Sequence, residues 1–183
     1  MSNKLGTKAE TLRLLYGQLK GAEVLPQYLF TVADWKKRRD VIVSEIYSLP
    51  WKDKVIIRSS ALNEDTSTGS QAGKYESVGN ISNKTEFAAA VERVIDSYDE
   101  VNNLNQVLVQ PMLENVSICG VVFTLNPNNL GNYYVINYDE TGSTSAVTAD
   151  NSAESRLYYR FKSYKILGGE CENRIKCSVC VWF

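Results

Sequence analysis

The chain has 183 residues, 44% of them hydrophobic and 10% aromatic, which suits one domain or two small lobes around a core and excludes wholesale disorder. Twenty Lys and Arg against 21 Asp and Glu leave a net charge of −1, which argues against a protein that coats nucleic acid. The complete absence of histidine excludes Ser/His and Cys/His nucleophilic pairs, His-ligated zinc and a phosphohistidine carrier in this chain.

Targeting and metal signals are weak. The first ten residues are polar, and no apolar run reaches the roughly 18 residues that a membrane span needs, so we expect a cytoplasmic protein that does not bind a membrane. Of the four cysteines, Cys119 lies in an apolar run, and Cys171, Cys177 and Cys180 crowd the last thirteen residues. The C-x-x-C of Cys177 and Cys180 has no second pair and no histidine beside it, so no metal site is predicted.

Helices dominate the first part of the chain. They are predicted over residues 8–22, 33–47 and 84–98. The first begins with the capping-box spacing of Thr7 and Glu10. The second directs Trp35, Ile42 and Ile46 inward and leaves a basic run on its solvated face.

Strands dominate the rest. Val55–Ile57 predicts a strand buried on both faces, and the hydroxyl-rich stretch 59–77 predicts a long loop, whole or broken by one tight turn. Further strands are predicted over residues 106–110, 117–124, 133–138 and 143–148, with turn chemistry at 126–132 that predicts a hairpin. Helices first and antiparallel strands later indicate an α+β (mixed α/β) fold.

The segment after the buried strand has the chemistry of a phosphate site. Arg58 offers a planar fork of donors, Lys74 a point charge, and Gly69 and Gly73 let backbone N–H groups approach a ligand. The alternative is that Arg58 only pairs with an acidic neighbour such as Glu64 at the strand end. No P-loop, Rossmann or protein-kinase motif is present.

An ordered set of motifs resembles a known family. Arg58-Ser-Ser-Ala61, Glu64-Asp65 and Ser70-Gln-Ala-Gly-Lys-Tyr-Glu-Ser77 are similar to the R-S-S-A, E-D and S-x-A-G-x-x-E-S patterns of the ATP-binding, ATP-grasp-type domain of phosphoenolpyruvate synthase and pyruvate phosphate dikinase. Downstream, Val107–Leu113 resembles the family's V-Q-x-M stretch, and Cys119–Thr124 with Asn126-Pro127 its F-T strand and turn. Gly17-Gln-Leu-Lys-Gly-Ala22 is a weaker counterpart of the family's G-x-K-G-A-N-L.

The resemblance implies a role for each matching residue. Lys20 and Arg58 would contact the ATP phosphates as the catalytic cations, and the hinge at Gln110–Leu113 would contact adenine. The implied nucleotide-binding residues are Ser59, Ser60, Ser70, Gly73, Lys74, Gln110, Met112, Leu113 and Thr124. For Gln110 and Thr124, the alternative is an ordinary strand position.

The resemblance covers a partial ATP-binding domain over residues 1–150, followed by a divergent tail over 151–183. No counterpart of the family's acidic Mg²⁺ ligands follows Asp150, so those ligands and the phosphohistidine and acceptor domains are expected outside this chain. We therefore expect ATP binding as the nucleotide-binding portion of a dikinase-like phosphotransferase that makes AMP and phosphate, in a chain that is truncated and catalytically incomplete.

Three alternatives stay open. The first is an ATP-binding fragment similar to the glutamine kinase of capsule gene clusters, a narrower branch of the same family. The second is a non-catalytic nucleotide sensor or partner subunit whose missing lobes come from another chain. The third is a decayed gene product that keeps only part of the fold.

Overall fold

The computed structural model describes residues 6–62, 65–66, 69–70, 75–99, 102–126, 129–140, 156–161 and 180–181. These residues form two compact units, divided between Leu113 and Glu114. Across the described ranges, none of the helices combines the length and the apolar character of a membrane span.

The first unit combines three helices with a four-stranded antiparallel sheet. Its helices are α1 (Lys8–Leu15), α2 (Val32–Ile46) and α3 (Lys84–Asp96). Its strands are β1 (Tyr28–Thr31), β2 (Val55–Ser60), β3 (Asp65–Thr66), β4 (Gly69–Ser70), β5 (Ser77–Ile81) and β6 (Gln106–Pro111). The main sheet has the order β1-β6-β2-β5, and β3 pairs with β4 separately.

The core of this unit lies between the main sheet and helices α2 and α3. Aromatic rings form its centre, where Trp35 stacks on Phe30 with ring centroids 5.6 Å apart and meets Phe87 edge-on at 6.2 Å. The predicted inward residues of α2, Trp35, Ile42 and Ile46, are all buried. Val55 and Ile57 come from β2, and Ile56 on the opposite face is also buried, so the predicted strand buried on both faces is confirmed.

Helix α1 is shorter than the sequence pattern predicts. Its capping box is formed, with Thr7 as N-cap and Glu10 as its partner, but the helix ends at Leu15 and not at residue 22. Gly17 follows with a φ of +72°, in the left-handed region that favours glycine and ends helices. The leucine periodicity that indicates a longer helix therefore runs past its true end.

The second unit is a four-stranded sheet with one well-formed hairpin. Its strands are β7 (Cys119–Phe123), β8 (Tyr133–Asp139), β9 (Arg156–Phe161) and β10 (Cys180–Val181), in the order β10-β7-β8-β9. Strands β7 and β8 are antiparallel, and in their connection the Leu130 N–H donates to the Asn126 carbonyl at 2.8 Å. The predicted hairpin is therefore confirmed.

Together the two units confirm the α+β (mixed α/β) class: three helices, two four-stranded sheets that are largely antiparallel and the small β3–β4 pair lie within the described ranges. Strand β10 is the exception, since it runs parallel to β7. The strand predicted over residues 143–148 lies outside the described residues. The domain boundary predicted at residue 150 stays a prediction, although β9 follows that residue and pairs with β8 in one sheet.

Candidate functional site

The two faces of β2 carry different chemistry. Side chains alternate along a strand, and Val55 and Ile57 belong to the core beneath α2 and α3. Ser59 follows the same alternation and is only 1% exposed. The opposite face of β2 carries Ile56, Arg58 and Ser60, and we call it the Arg58 face. Arg58 is half-buried there, within the strand and not beyond its end.

The first turn of α1 docks at one end of the Arg58 face. The Ala9 N–H donates to the Ser60 hydroxyl at 3.0 Å, and the Thr7 hydroxyl donates to the side-chain carbonyl of Gln106 at 2.6 Å. The Gln106 amide in turn donates to the Glu10 carboxylate at 3.1 Å. Ser60 and Gln106 are directly paired in the β2–β6 register, so two adjacent strands hold the start of α1.

This docking places Lys8 beside the strand that carries Arg58. The Lys8 ammonium lies 3.4 Å from the Ser59 carbonyl oxygen, to which it donates a hydrogen bond. Because α1 docks through Ser60, and Ser60 and Arg58 share one face, both cations belong to the same end of the Arg58 face. A Lys and an Arg placed together in this way suit a phosphate group.

The predicted lysine, Lys20, is placed differently. It is exposed and lies after α1, in a segment for which no bond to β2 is described. The signal that could have found Lys8 is the Gly6-Thr-Lys8 sequence followed by Leu12, which has the G-x-K-x-x-x-L spacing of the resembled motif without a gap. The Gly17 to Lys20 spacing is one residue longer. The contact of Lys20 with phosphate stays a prediction.

The other end of the Arg58 face combines apolar side chains with the polar Gln110. Ile56 pairs with Gln110 of β6, which is buried with 5% exposure. The Met112 N–H donates to the Lys54 carbonyl at 2.9 Å, and the Met112 sulfur packs so close to Gly79 that a Cβ there would lie 3.2 Å from it. Residues 112 and 113 of the hinge are half-buried. Met112 forms an apolar platform together with Ile56 and Gly79.

The distance between the two ends of the Arg58 face is comparable to the length of a nucleotide. Strand β2 rises about 3.4 Å per residue, so along the strand direction Arg58 lies about 7 Å from Ile56 and about 14 Å from Lys54, the residue to which Met112 is bonded. The larger of these lengths is comparable to that of an extended nucleoside triphosphate. The geometry therefore brings Arg58 together with the hinge on one surface.

The structure describes only some of the remaining predicted site residues. The backbone of Ser70 is in β4, paired with Asp65, while its side chain, Gly73 and Lys74 lie outside the described residues. Thr124 is exposed and follows β7 in the second unit. The predicted nucleotide contacts of Ser59 and Ser60 are untested; in this structure Ser60 supports α1 and Ser59 faces the core.

Glu10, in the docked first turn of α1, is stabilised in its ionised form. Hydrogen bonds from the Thr7 backbone and then from Gln106 hold the pKa of Glu10 below its usual value, because both bonds favour the ionised carboxylate. Among the residues that the structure describes, no group of three or more Asp, Glu or Cys side chains is placed to hold a metal ion.

Two comparisons with known proteins bear on this site. A comparison with curated protein sequences gives no significant match. The model of the family described as pyruvate phosphate dikinase, AMP/ATP-binding domain, matches residues 36–153, a range that includes Arg58, the hinge and Thr124. Because this match spans more than half of the chain, the chain belongs to the family of the pyruvate phosphate dikinase AMP/ATP-binding domain.

Proposed function

We propose that the chain binds ATP along the Arg58 face. The β- and γ-phosphates lie at the end that carries Arg58 and Lys8, and the adenine lies against the hinge at Gln110–Leu113. The observation that supports this most directly is the polarity of that face, which carries two cations at one end and an apolar platform further along the strand.

The residue types at each end suit the parts of the nucleotide. The guanidinium of Arg58 presents a fork of donors that matches phosphate oxygens, and the ammonium of Lys8 adds a second positive charge. At the other end, the half-buried Met112 provides apolar surface for the base, and the strand backbone at the hinge provides hydrogen-bonding groups. The nucleotide contacts that the resemblance implies for Ser70, Gly73, Lys74 and Thr124 stay predictions.

The proposed biochemical role is the nucleotide-binding portion of a phosphoenolpyruvate synthase or dikinase-like phosphotransferase. Positioning and charge neutralisation account for most of the catalysis of phosphoryl transfer, and Arg and Lys supply both. A phosphohistidine step cannot occur on this chain, since it contains no histidine. The histidine and the phosphoryl acceptor therefore belong to other domains or to a partner chain, and we expect no AMP release from ATP by this chain alone.

Calorimetric titration of the purified chain with ATP, AMP and adenosine tests the proposal. Replacing Arg58 by Met removes charge-assisted hydrogen bonds worth about 1.5–3 kcal/mol, so ATP affinity should fall about 10- to 100-fold while adenosine affinity changes little. Arg13→Met is the matched control, because Arg13 is an exposed arginine on α1 and its loss should leave ATP affinity unchanged.

The two lysines are compared in the same titration. Lys8→Met should weaken ATP binding and Lys20→Met should not, if α1 positions the phosphate-binding cation. The reverse result would favour the assignment of Lys20 that the resemblance implies. Equal ATP affinity in the wild-type chain and Arg58→Met would overturn the proposed function.

A further inference from the structure

Gln106 is the common partner of three side chains that connect α1 to the sheet. Its side-chain oxygen accepts hydrogen bonds from the hydroxyls of Thr7 at 2.6 Å and Ser60 at 3.4 Å. Its amide nitrogen donates to Glu10. Its own backbone is held by pairing with Ser60 and by the Tyr98 hydroxyl, which donates to the Gln106 carbonyl.

This arrangement requires an amide at position 106. The Glu10 carboxylate can only accept hydrogen bonds, and the Thr7 hydroxyl donates one here. The group between them must therefore donate to Glu10 and accept from Thr7. Glutamine meets both requirements. An apolar side chain would meet neither, and a glutamate would set a second carboxylate against Glu10, which is itself held ionised by these bonds.

Lys8 lies in the first turn of α1, which these hydrogen bonds hold against the sheet. Lys8 is the first residue of α1 and lies between Thr7 and Ala9, both of which are bonded to the sheet through Gln106 or Ser60. The residues on both sides of Lys8 are thus hydrogen-bonded to the sheet, which fixes the position and direction of the Lys8 side chain. The Lys8 ammonium then reaches the Ser59 carbonyl at the Arg58 face.

We propose that Gln106 is a positioning residue that fixes the first turn of α1 and so holds the Lys8 ammonium at the phosphate end of the Arg58 face. The proposal rests on the proposed function for the identity of the ligand, while the placement of Lys8 is measurable without any nucleotide. Gln106 itself does not touch the nucleotide; it acts through α1.

Two variants of nearly unchanged shape test the proposal. Gln106→Glu replaces the donating amide by a carboxylate opposite Glu10, so α1 should separate from the sheet. The double variant Glu10→Gln with Gln106→Glu exchanges donor and acceptor. The amide that it introduces at position 10 can donate to the new carboxylate, while the oxygen of that amide still accepts from the Thr7 N–H, as in a capping box. The double variant should therefore restore the docked turn.

The first readout is the rate at which acetic anhydride acetylates each lysine, measured by mass spectrometry without nucleotide. Gln106→Glu should raise the rate at Lys8 about fivefold, and the double variant should return it to the wild-type rate. Lys20, which is exposed after α1, and Lys84, which lies over the Tyr47 ring at 5.8 Å, should react at the same rate in all three proteins.

The second readout is the affinity for ATP and for adenosine. Gln106→Glu should weaken ATP binding about 10-fold and leave adenosine binding unchanged, with recovery in the double variant. In a Lys8→Met background the same substitution should have no further effect on ATP binding, because the cation that it positions is gone.

The outcomes separate the two proposals. An unchanged Lys8 rate in Gln106→Glu, no recovery in the double variant, or an equal rise at Lys84 would overturn the positioning role, the last because it would show general loss of structure. A wild-type chain that does not bind ATP would overturn the proposed function alone, and the acetylation rates would still decide whether Gln106 holds Lys8.

Discussion

The two units bury their apolar side chains to different extents. In the first unit a continuous cluster of buried side chains joins the sheet to α2 and α3, with Phe30 and Phe87 at most 2% exposed. In the described part of the second unit only Cys119 and Val135 are buried hydrophobic residues, while Tyr158 is 47% exposed. Packing therefore stabilises the first unit, whereas strand pairing and turn hydrogen bonds are the main interactions in the described part of the second.

The largest expected effect comes from removing a core ring of the first unit. Phe87 is fully buried and packs edge-on against both Trp35 and Tyr47, so Phe87→Ala should lower the free energy of unfolding by about 3–5 kcal/mol. Tyr158→Ala in the second unit should lower it by less than about 0.5 kcal/mol. Urea unfolding followed by tryptophan fluorescence and circular dichroism measures both, and equal losses would contradict the comparison.

A smaller effect is expected from one glycine in each sheet. A Cβ on Gly120 would lie 2.7 Å from the backbone oxygen of Asn137 in the paired strand, so Gly120→Ala must displace the hairpin, at a cost of about 1–3 kcal/mol. A Cβ on Gly79 meets chiefly the end of the flexible Met112 side chain. Gly79→Ala should therefore be near neutral, since Ala also costs less conformational entropy in a strand.

Amide hydrogen exchange can assign these losses to their units. In Gly120→Ala, protection should fall in β7 and β8 and persist in β6. Loss of protection in β6 with intact β7 would show that the register of the second sheet does not depend on this glycine. Gly79→Ala serves as the control for adding a methyl group to a strand.

The smallest effect is a pH dependence confined to the first unit. Burial and then a hydrogen bond to Glu45 raise the pKa of Tyr28 to about 12, from 10.0. The folded state thus disfavours the ionised phenol, and the free energy of unfolding should decline as the pH rises through this interval. Tyr28→Phe should make the decline shallower but not remove it, because burial also raises the pKa of Tyr47.

Urea unfolding at several alkaline pH values measures this slope. An identical slope in wild type and Tyr28→Phe would mean that Tyr28 ionises as readily in the folded chain as in the unfolded one. The absorbance of tyrosinate, titrated in both proteins, reports the same pKa directly.

The sequence predicts local features of this fold better than distant ones. Helices α2 and α3 and the β7–β8 hairpin follow from periodicity, caps and turn residues that lie next to one another in the chain. The kink in α2 at Arg38, where φ is −142°, leaves no such mark in a run of basic residues. Strand β1 depends on a distant partner, since Tyr28 pairs with Val109 far along the chain.

The same limit explains the outcome at the candidate site. Arg58 and the hinge at Gln110 lie in strong local motifs, and the structure places them on neighbouring strands. Lys8 also lies in a local G-x-K pattern, but its hydrogen bond to a carbonyl 51 residues away is the feature that places it at the site. Two G-x-K-like segments compete for the same motif in the sequence, and the docking of α1 is the evidence that favours the first.

The position of β6 in the sheet has a consequence for folding on the ribosome. This six-residue strand lies between β1 and β2, yet it is the last of the four to be synthesised. Until residue 106 emerges, β2 and β5 can pair with each other but β1 has no strand to join, and closing such long loops is entropically costly. The first unit is therefore expected to complete its sheet in one late step, when a single short strand joins the separate parts.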